Sequence, residues 1–194
     1  MKTPYPLVLA STSKYRAGLL RQLGWEFSAE APGVDESELK TLELDPRDIA
    51  LRLSRMKSEA VFHRNPRVCV IGSDQVCAVG ETIYGKPLSS DGAVRQLTEL
   101  SGKTHELLTA VTVTWPQGQT SFLNVTRLHM RQLTREEIIR YVERDQPYDC
   151  AGSYKLEEHG IKLFERIDMD DHTAIIGLPL IELSNVLLEL GYPF

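Results

Sequence analysis

Four groups of residues in this chain carry side chains suited to handling phosphate, a divalent cation or a proton. The first is Ser11-Thr12-Ser13 followed by Arg16. Hydroxyls and backbone N–H groups at the start of a helix favour an anion, because the first amides of a helix lack partners within it and the dipole is positive there. Arg16, in the first turn, can fork onto two phosphate oxygens. The same residues also fit a helix capped by Ser13 with Arg16 in solvent. The second is Asp74, after Gly72 and Ser73 at the end of an apolar run. An acid at the C-terminal end of a central strand is placed to hold Mg²⁺ or to take a proton from water; an Asp there can also bond its own turn. The third is Asp35-Glu36, in a loop with Pro32 and Gly33. Hard cations want carboxylate oxygens, although a solvated acidic loop has the same composition. The fourth is a pair of separate bases, Lys57 and Lys86. An ammonium on a flexible stem suits a phosphate as a point charge, and either lysine is also compatible with simple exposure.

The elements that must position these groups follow from periodicity and turn chemistry. Leu7 to Ala10 reads as a short buried strand, not a signal segment, and a helix with Leu19, Leu20 and Leu23 on one face stops at Gly24. Trp25 to Ala29 alternates as a second strand. Pro46 opens a helix that turns Ile49, Leu53, Met56 and Ala60 inward and leaves Arg52, Arg55 and Lys57 elsewhere on the wheel. Val68 to Ile71 reads as a central strand buried on both faces, with Asp74 just past its end. Val76–Val79 and Thr82–Tyr84 flank Gly80-Glu81 as a hairpin. A helix through Leu97 and Leu100 follows Lys86-Pro87. A long hairpin turns about Pro116-Gln117-Gly118, and Thr134 with Glu137 forms a capping box for a helix to about Arg144. Short strands are expected at 161–164 and 173–176, then a helix from Pro179 to Leu190. Mingled strands and helices predict an α/β or mixed α+β fold around a mixed sheet.

Composition narrows the partners. The 194 residues are 42% hydrophobic and 25% charged, as in an ordinary globular domain. With 27 acids against 22 bases and the bases scattered, the chain lacks the basic stripe of a polymeric nucleic-acid binder. No run approaches the roughly 20 apolar residues of a membrane span. Cys69, Cys77 and Cys150 have neither an even count nor metal-ligand spacing, which predicts reduced thiols in a cytoplasmic protein.

Taken jointly, the motifs resemble the Maf family of nucleoside triphosphate pyrophosphatases from one end of the chain to the other. Leu9-Ala10-Ser11-Thr12-Ser13-Lys14-Tyr15-Arg16 is similar to the family's opening motif. Val34-Asp35-Glu36, the Lys57 helix, Gly72-Ser73-Asp74-Gln75, Gly85-Lys86-Pro87, Ala151-Gly152-Ser153-Tyr154 and Gly177-Leu178-Pro179 follow in family order. The resemblance implies one Maf-like domain over 1–194, related to the ITPase fold, elongated, with a mixed sheet flanked by helices and a cleft between two lobes. It also implies a homodimer. Asp74 would be the catalytic acid/base or a metal-holding carboxylate, and Glu36 would help bind a divalent Mg, Mn or Co ion. Ser11, Ser13, Arg16, Lys57 and Lys86 would line the triphosphate.

Three departures from the commonest family pattern point to base specificity. Lys14-Tyr15 stands where many members have Pro-Arg, Gln75 where many have Thr, and Glu157 where many have Gln. These resemble the subgroup that hydrolyses 7-methyl-GTP. N7-methylation places a positive charge on guanine, which an aromatic face such as Tyr15 can stack on. Glu157 can accept from the guanine N1–H and exocyclic amine together. The expected activity is cleavage of 7-methyl-GTP to 7-methyl-GMP and pyrophosphate. The alternatives are a pyrophosphatase for dTTP, UTP or CTP, or a non-catalytic nucleotide-binding regulator of septum formation.

Overall fold

The computed structural model describes residues 4–35 and 44–194. The described strands are β1 (Leu7–Leu9), β2 (Phe27–Ala29), β3 (Cys69–Val79), β4 (Thr82–Tyr84), β5 (Thr104–Trp115), β6 (Gly118–Met130) and β7 (Phe164–Asp168). The described helices are α1 (Lys14–Arg21), α2 (Pro46–Arg64), α3 (Ser90–Leu100), α4 (Arg135–Asp145) and α5 (Leu180–Glu189). One mixed sheet runs in the order β2-β1-β3-β5-β6-β7, with β4 paired to β3 off this path. The expected mixed α/β fold is therefore the one observed. Among the described residues, no helix is long and apolar enough to cross a membrane.

The chain divides into two compact units, the first comprising Met1–Asp74, Thr109–Asn124 and Asp171–Phe194. Its sheet is covered on both faces. Parallel pairing sets Leu7 beside Cys69 and Leu9 beside Ile71. Successive side chains of a strand point to opposite faces, so Leu7, Leu9, Cys69 and Ile71 join Leu19 and Leu20 of α1 and Leu183 and Leu187 of α5 in one core. Val8, Ala10, Val68 and Val70 form a second cluster with Val61 of α2. Two buried faces explain the nearly continuous apolar runs of both strands.

The second unit comprises Gln75–Leu108 and Val125–Asp170. Gly80 alone of the Gly80-Glu81 pair takes a positive φ, so β3 and β4 meet through the expected hairpin, with Val79 opposite Thr82. The capping box at Thr134 and Glu137 is formed as its spacing predicts. His105, Tyr154 and Phe164 pack as an aromatic cluster with ring centroids 5.0–5.8 Å apart.

Several boundaries differ from expectation for physical reasons. The central strand does not end at Ile71: β3 spans 11 residues, Cys69–Val79. Asp74 therefore sits within the strand, not at its end, and the polar Ser73-Asp74 pair is tolerated inside it because both side chains have partners. Residues 160–163 form a 3₁₀ turn, and the strand begins only at Phe164. Residues 174–176 are also a 3₁₀ turn. On α2 the buried face carries Ile49, Leu53, Ser54, Lys57, Ser58 and Val61, whereas Met56 and Ala60 are half-buried. Lys57 thus points inward, contrary to the wheel drawn from apolar residues alone.

The buried imidazole of His105 makes stability depend on pH. Its Nε2 bonds to the Tyr154 hydroxyl at 2.9 Å, and its Nδ1 has no protein partner among the described residues. Burial, with His129 adding to it, pushes its pKa down to about 4 from an ordinary 6.5. Between those values the unfolded chain binds the proton and the folded chain does not, so stability is full above the ordinary value and falls as pH drops. The thermal midpoint should decline from about pH 6.5 toward pH 4, by the equivalent of up to about 3 kcal/mol. In His105→Gln, which keeps a partner for Tyr154 but does not titrate, that part of the slope should vanish; an unchanged slope would assign it to other groups.

Candidate functional site

The first unit brings together two constellations on β3. On one face, Lys57 Nζ donates to Asp74 Oδ1 at 2.5 Å, with side chains only 10% and 11% exposed. A buried ion pair of this kind depends on its geometry, because both groups have given up water. The geometry comes from the α2–β3 contact. Gly72 faces α2 so closely that a Cβ there would lie 2.6 Å from the Ser58 nitrogen and 2.8 Å from the Ser58 Cβ, as well as against the Ser54 carbonyl. Buried hydroxyls complete the seam: Ser58 Oγ donates to the Val70 carbonyl at 3.1 Å and lies 2.7 Å from Thr114 Oγ1, and Ser54 Oγ lies 2.8 Å from Thr112 Oγ1. Backbone-close packing plus this ladder sets both the height and the rotation of α2. Lys57, one residue before Ser58, then reaches Asp74, two residues after Gly72 and on the same strand face.

The other face of β3 carries Ser73. Its hydroxyl donates to the Gly177 carbonyl at 2.9 Å, and the same carbonyl accepts from Arg16 Nε at 2.9 Å. Gly177 holds φ +113, and a Cβ on it would come within 3.2 Å of Arg16 Nε, so glycine is needed for conformation and for space. The turn that presents this carbonyl is itself pinned. Buried Asp171 accepts from the Thr173 N–H and hydroxyl through Oδ1 and from the Ile181 N–H through Oδ2, and Thr173 Oγ1 accepts from the Leu180 N–H. Those bonds cap the start of α5 and fix the 173–177 turn together.

The hydroxyl cluster sits between β1 and α1. The Ala10 N–H donates to the Ile71 carbonyl at 2.8 Å, which continues the Leu9–Ile71 pairing one residue past β1 before the chain turns at Ser11. Ser13 caps α1 by accepting from the Arg16 N–H at 3.4 Å, and Ser11 Oγ accepts from the Ser13 N–H at 3.1 Å. The capping reading of Ser13 is therefore correct. The solvated reading of Arg16 is not, since its guanidinium is anchored on Gly177. Tyr15 is half-buried, and the Lys14 ammonium stands 5.0 Å from its ring centroid.

The remaining candidates are placed differently. Gln75, half-buried in β3, and exposed Lys86 and Glu157 belong to the second unit. Asp35 is exposed, and Glu36 lies outside the described residues. Sequence reading missed Ser73, Gly177, Asp171 and Thr173 as positioning residues. Gly177 stood in a quoted motif, but nothing local shows that its carbonyl takes two donors from distant segments.

A divalent ion was expected near Asp74. A carboxylate offers about four lone-pair sites and Lys57 uses one, so this hard oxygen donor fits such an ion in chemistry. Among the described residues, Asp145, Glu158 and His159 also bring ligand atoms within 4.8 Å of one another. That group is an anchor instead. His159 Nδ1 bonds to Asp145 at 2.8 Å, its Nε2 faces Arg144 at 2.6 Å, and the Lys155 ammonium lies 3.6 Å from Glu158.

Comparison with known proteins extends over nearly the whole chain. The family model described as Maf-like protein matches residues 6–190. A 7-methyl-GTP pyrophosphatase of Bdellovibrio bacteriovorus is 45% identical over 181 residues, covering 93% of this chain and 95% of its own length. One from Alkalilimnicola ehrlichii is 45% identical over 190 residues, covering 97% and 94%. Among solved structures, the Ham1 protein of Staphylococcus aureus shares the fold with a TM-score of 0.54 at 14% identity, over 95% of this chain and 98% of that one.

The seam at Gly72 yields a direct test. Gly72→Ala forces a methyl group into backbone atoms of α2, which a flexible side chain cannot relieve. A loss of about 3 kcal/mol in urea unfolding is expected; a loss under about 0.5 kcal/mol, within surface-substitution range, would show that α2 is not held by this contact.

Proposed function

This chain belongs to the Maf family, and we propose that it hydrolyses 7-methyl-GTP to 7-methyl-GMP and pyrophosphate. The observation that carries the chemistry is the buried Lys57–Asp74 pair, in the same unit as a helix N-terminus whose arginine is anchored on the Gly177 carbonyl. The relatives named as 7-methyl-GTP pyrophosphatases supply the substrate.

In this reading Asp74 takes a proton from water as the water oxygen attacks the α-phosphorus. The bond from that phosphorus to the bridging oxygen breaks, and its electron pair leaves with pyrophosphate. Lys57 holds Asp74 in one orientation through Oδ1, leaving its second oxygen for the proton. The ammonium also lies close to the charge that builds on the phosphate oxygens, where electrostatic stabilisation is worth most in a buried setting. Arg16, Ser11 and Ser13 receive phosphate oxygens at the start of α1, and Lys86 contributes a further positive charge. A divalent Mg, Mn or Co ion, when bound, neutralises phosphate charge; Asp74 with Glu36 would hold it.

Base preference rests on Tyr15, Gln75 and Glu157. The ammonium of Lys14 is held near the Tyr15 ring, so a methylguanine cation either uses the opposite ring face or displaces Lys14. Glu157 supplies the acceptor for the guanine edge. We place the protein in the cytoplasm as a homodimer. Burial pushes the thiols up, to about 11 for Cys69 and about 12 for Cys77, which keeps them protonated and unreactive.

The test is pyrophosphate release from 7-methyl-GTP, GTP, dTTP, UTP and CTP with Mg²⁺, Mn²⁺ or Co²⁺, and again with EDTA. Release from 7-methyl-GTP in preference to the others is expected, lost with EDTA and lowered at least about 100-fold in Asp74→Asn. Preference for a pyrimidine nucleotide would overturn the Tyr15–Glu157 assignment. Undiminished turnover in Asp74→Asn would remove Asp74 from the proton transfer.

A further inference from the structure

The turn that carries Lys86 is held from three directions by residues of the second unit. The Gly85 carbonyl accepts from Gln96 Nε2 at 3.0 Å. The Pro87 carbonyl lies so near the first turn of α3 that a Cβ on Gly92 would come within 2.5 Å of it. The Leu88 N–H donates to the Tyr148 carbonyl at 3.1 Å. Leu88 itself sits at φ +60 while 79% exposed. The left-handed region is unfavourable for a side chain of this size, and so exposed a leucine gains little from burial in return. The shape of the turn is therefore imposed by its attachments, not by the preference of its own residues.

Gln96 has a second bond. Its Oε1 accepts from the hydroxyl of Ser153 at 2.6 Å. Ser153 is fully buried at φ +65 and follows Gly152 at φ +76, so this turn too is held in a left-handed shape. A primary amide donates from one end and accepts at the other. The opposite amide orientation would set two carbonyl oxygens against each other at Gly85, so the pair of partners fixes how Gln96 lies. One side chain thus ties the Gly85-Lys86-Pro87 turn to the Ala151–Tyr154 turn.

We propose that Gln96 is a positioning residue for the pyrophosphatase reaction, bridging these two turns so that the Lys86 ammonium is presented to the triphosphate in one geometry. The inference rests on the reading of the protein as a nucleotide pyrophosphatase and adds a residue to it. Because the bridge acts on a phosphate-binding turn and not on the base, its loss should weaken binding of ground state and transition state alike.

Gln96→Met keeps the volume and helix preference of the side chain and removes both bonds. It should raise KM for 7-methyl-GTP about tenfold while leaving kcat within about twofold and the preference over GTP unchanged. Ser153→Ala should shift KM the same way by about threefold, and the double variant should be no worse than Gln96→Met alone. A lowered thermal midpoint with wild-type KM would reduce Gln96 to a purely structural residue and overturn the proposal. Hydrogen exchange on the nucleotide-free protein separates this from failure of the functional reading. The Lys86 and Leu88 amides should exchange faster in Gln96→Met than in wild type, and unchanged exchange would overturn the bridge even if wild type hydrolyses no nucleotide tested.

Discussion

A side chain at position 72 would collide with the backbone of α2, and the absence of one lets helix and strand approach closely enough for Lys57 to meet Asp74. The chemistry proposed for the first unit follows from that approach. An ammonium stem has a limited reach, so moving α2 outward strains or parts the Lys57–Asp74 pair and deprives two buried charges of that contact. Breaking such a pair costs about 3–5 kcal/mol, whereas forming it gains little net stability. The Ser54, Ser58, Thr112 and Thr114 hydroxyls serve the same end. They let a helix lie flush on a sheet through polar groups that are satisfied by one another, where larger apolar side chains would hold the two apart.

The Gly177 carbonyl organises the other face of the same strand. It is a neutral acceptor for Arg16 and Ser73, so this contact orients the guanidinium without adding a negative charge to it. A carboxylate in that place would hold Arg16 more tightly but would neutralise the field offered to phosphate. Asp171 performs its anchoring through amides and a hydroxyl of the turn and the start of α5. The Gly177 carbonyl thus orients Arg16 on one face while a paired acid and base share the other.

Much of this was legible in the sequence because it is local. The Ser13 cap, the Gly80 hairpin and the Thr134–Glu137 box all depend on residues within a few positions of one another. The mixed fold followed from the alternation of apolar patterns. The errors arose where partners are distant in sequence. Ser73-Asp74 looked like the end of a strand because two polar residues interrupt an apolar run, and only Gly177 and Lys57 make them compatible with its interior. An apolar wheel leaves Lys57 off the buried face, because it has no way to credit a lysine whose charge is met from another element. Residues 173–176 have strand-forming composition, yet Asp171 takes their amides into a turn. Gln96 carried no signal at all, since its role is defined by Gly85 and Ser153 on either side of it.

The most direct measurement of the account is a double-mutant cycle on kcat/KM for 7-methyl-GTP with Lys57→Met, Asp74→Asn and the two combined. If Lys57 works chiefly by holding Asp74 in its reactive orientation, the double variant will lie far closer to Asp74→Asn alone than to the product of the two losses, because only the lysine's own field on the phosphates is left to lose. If the two losses instead multiply, Lys57 and Asp74 act independently, and the buried pair is not the unit on which the reaction depends.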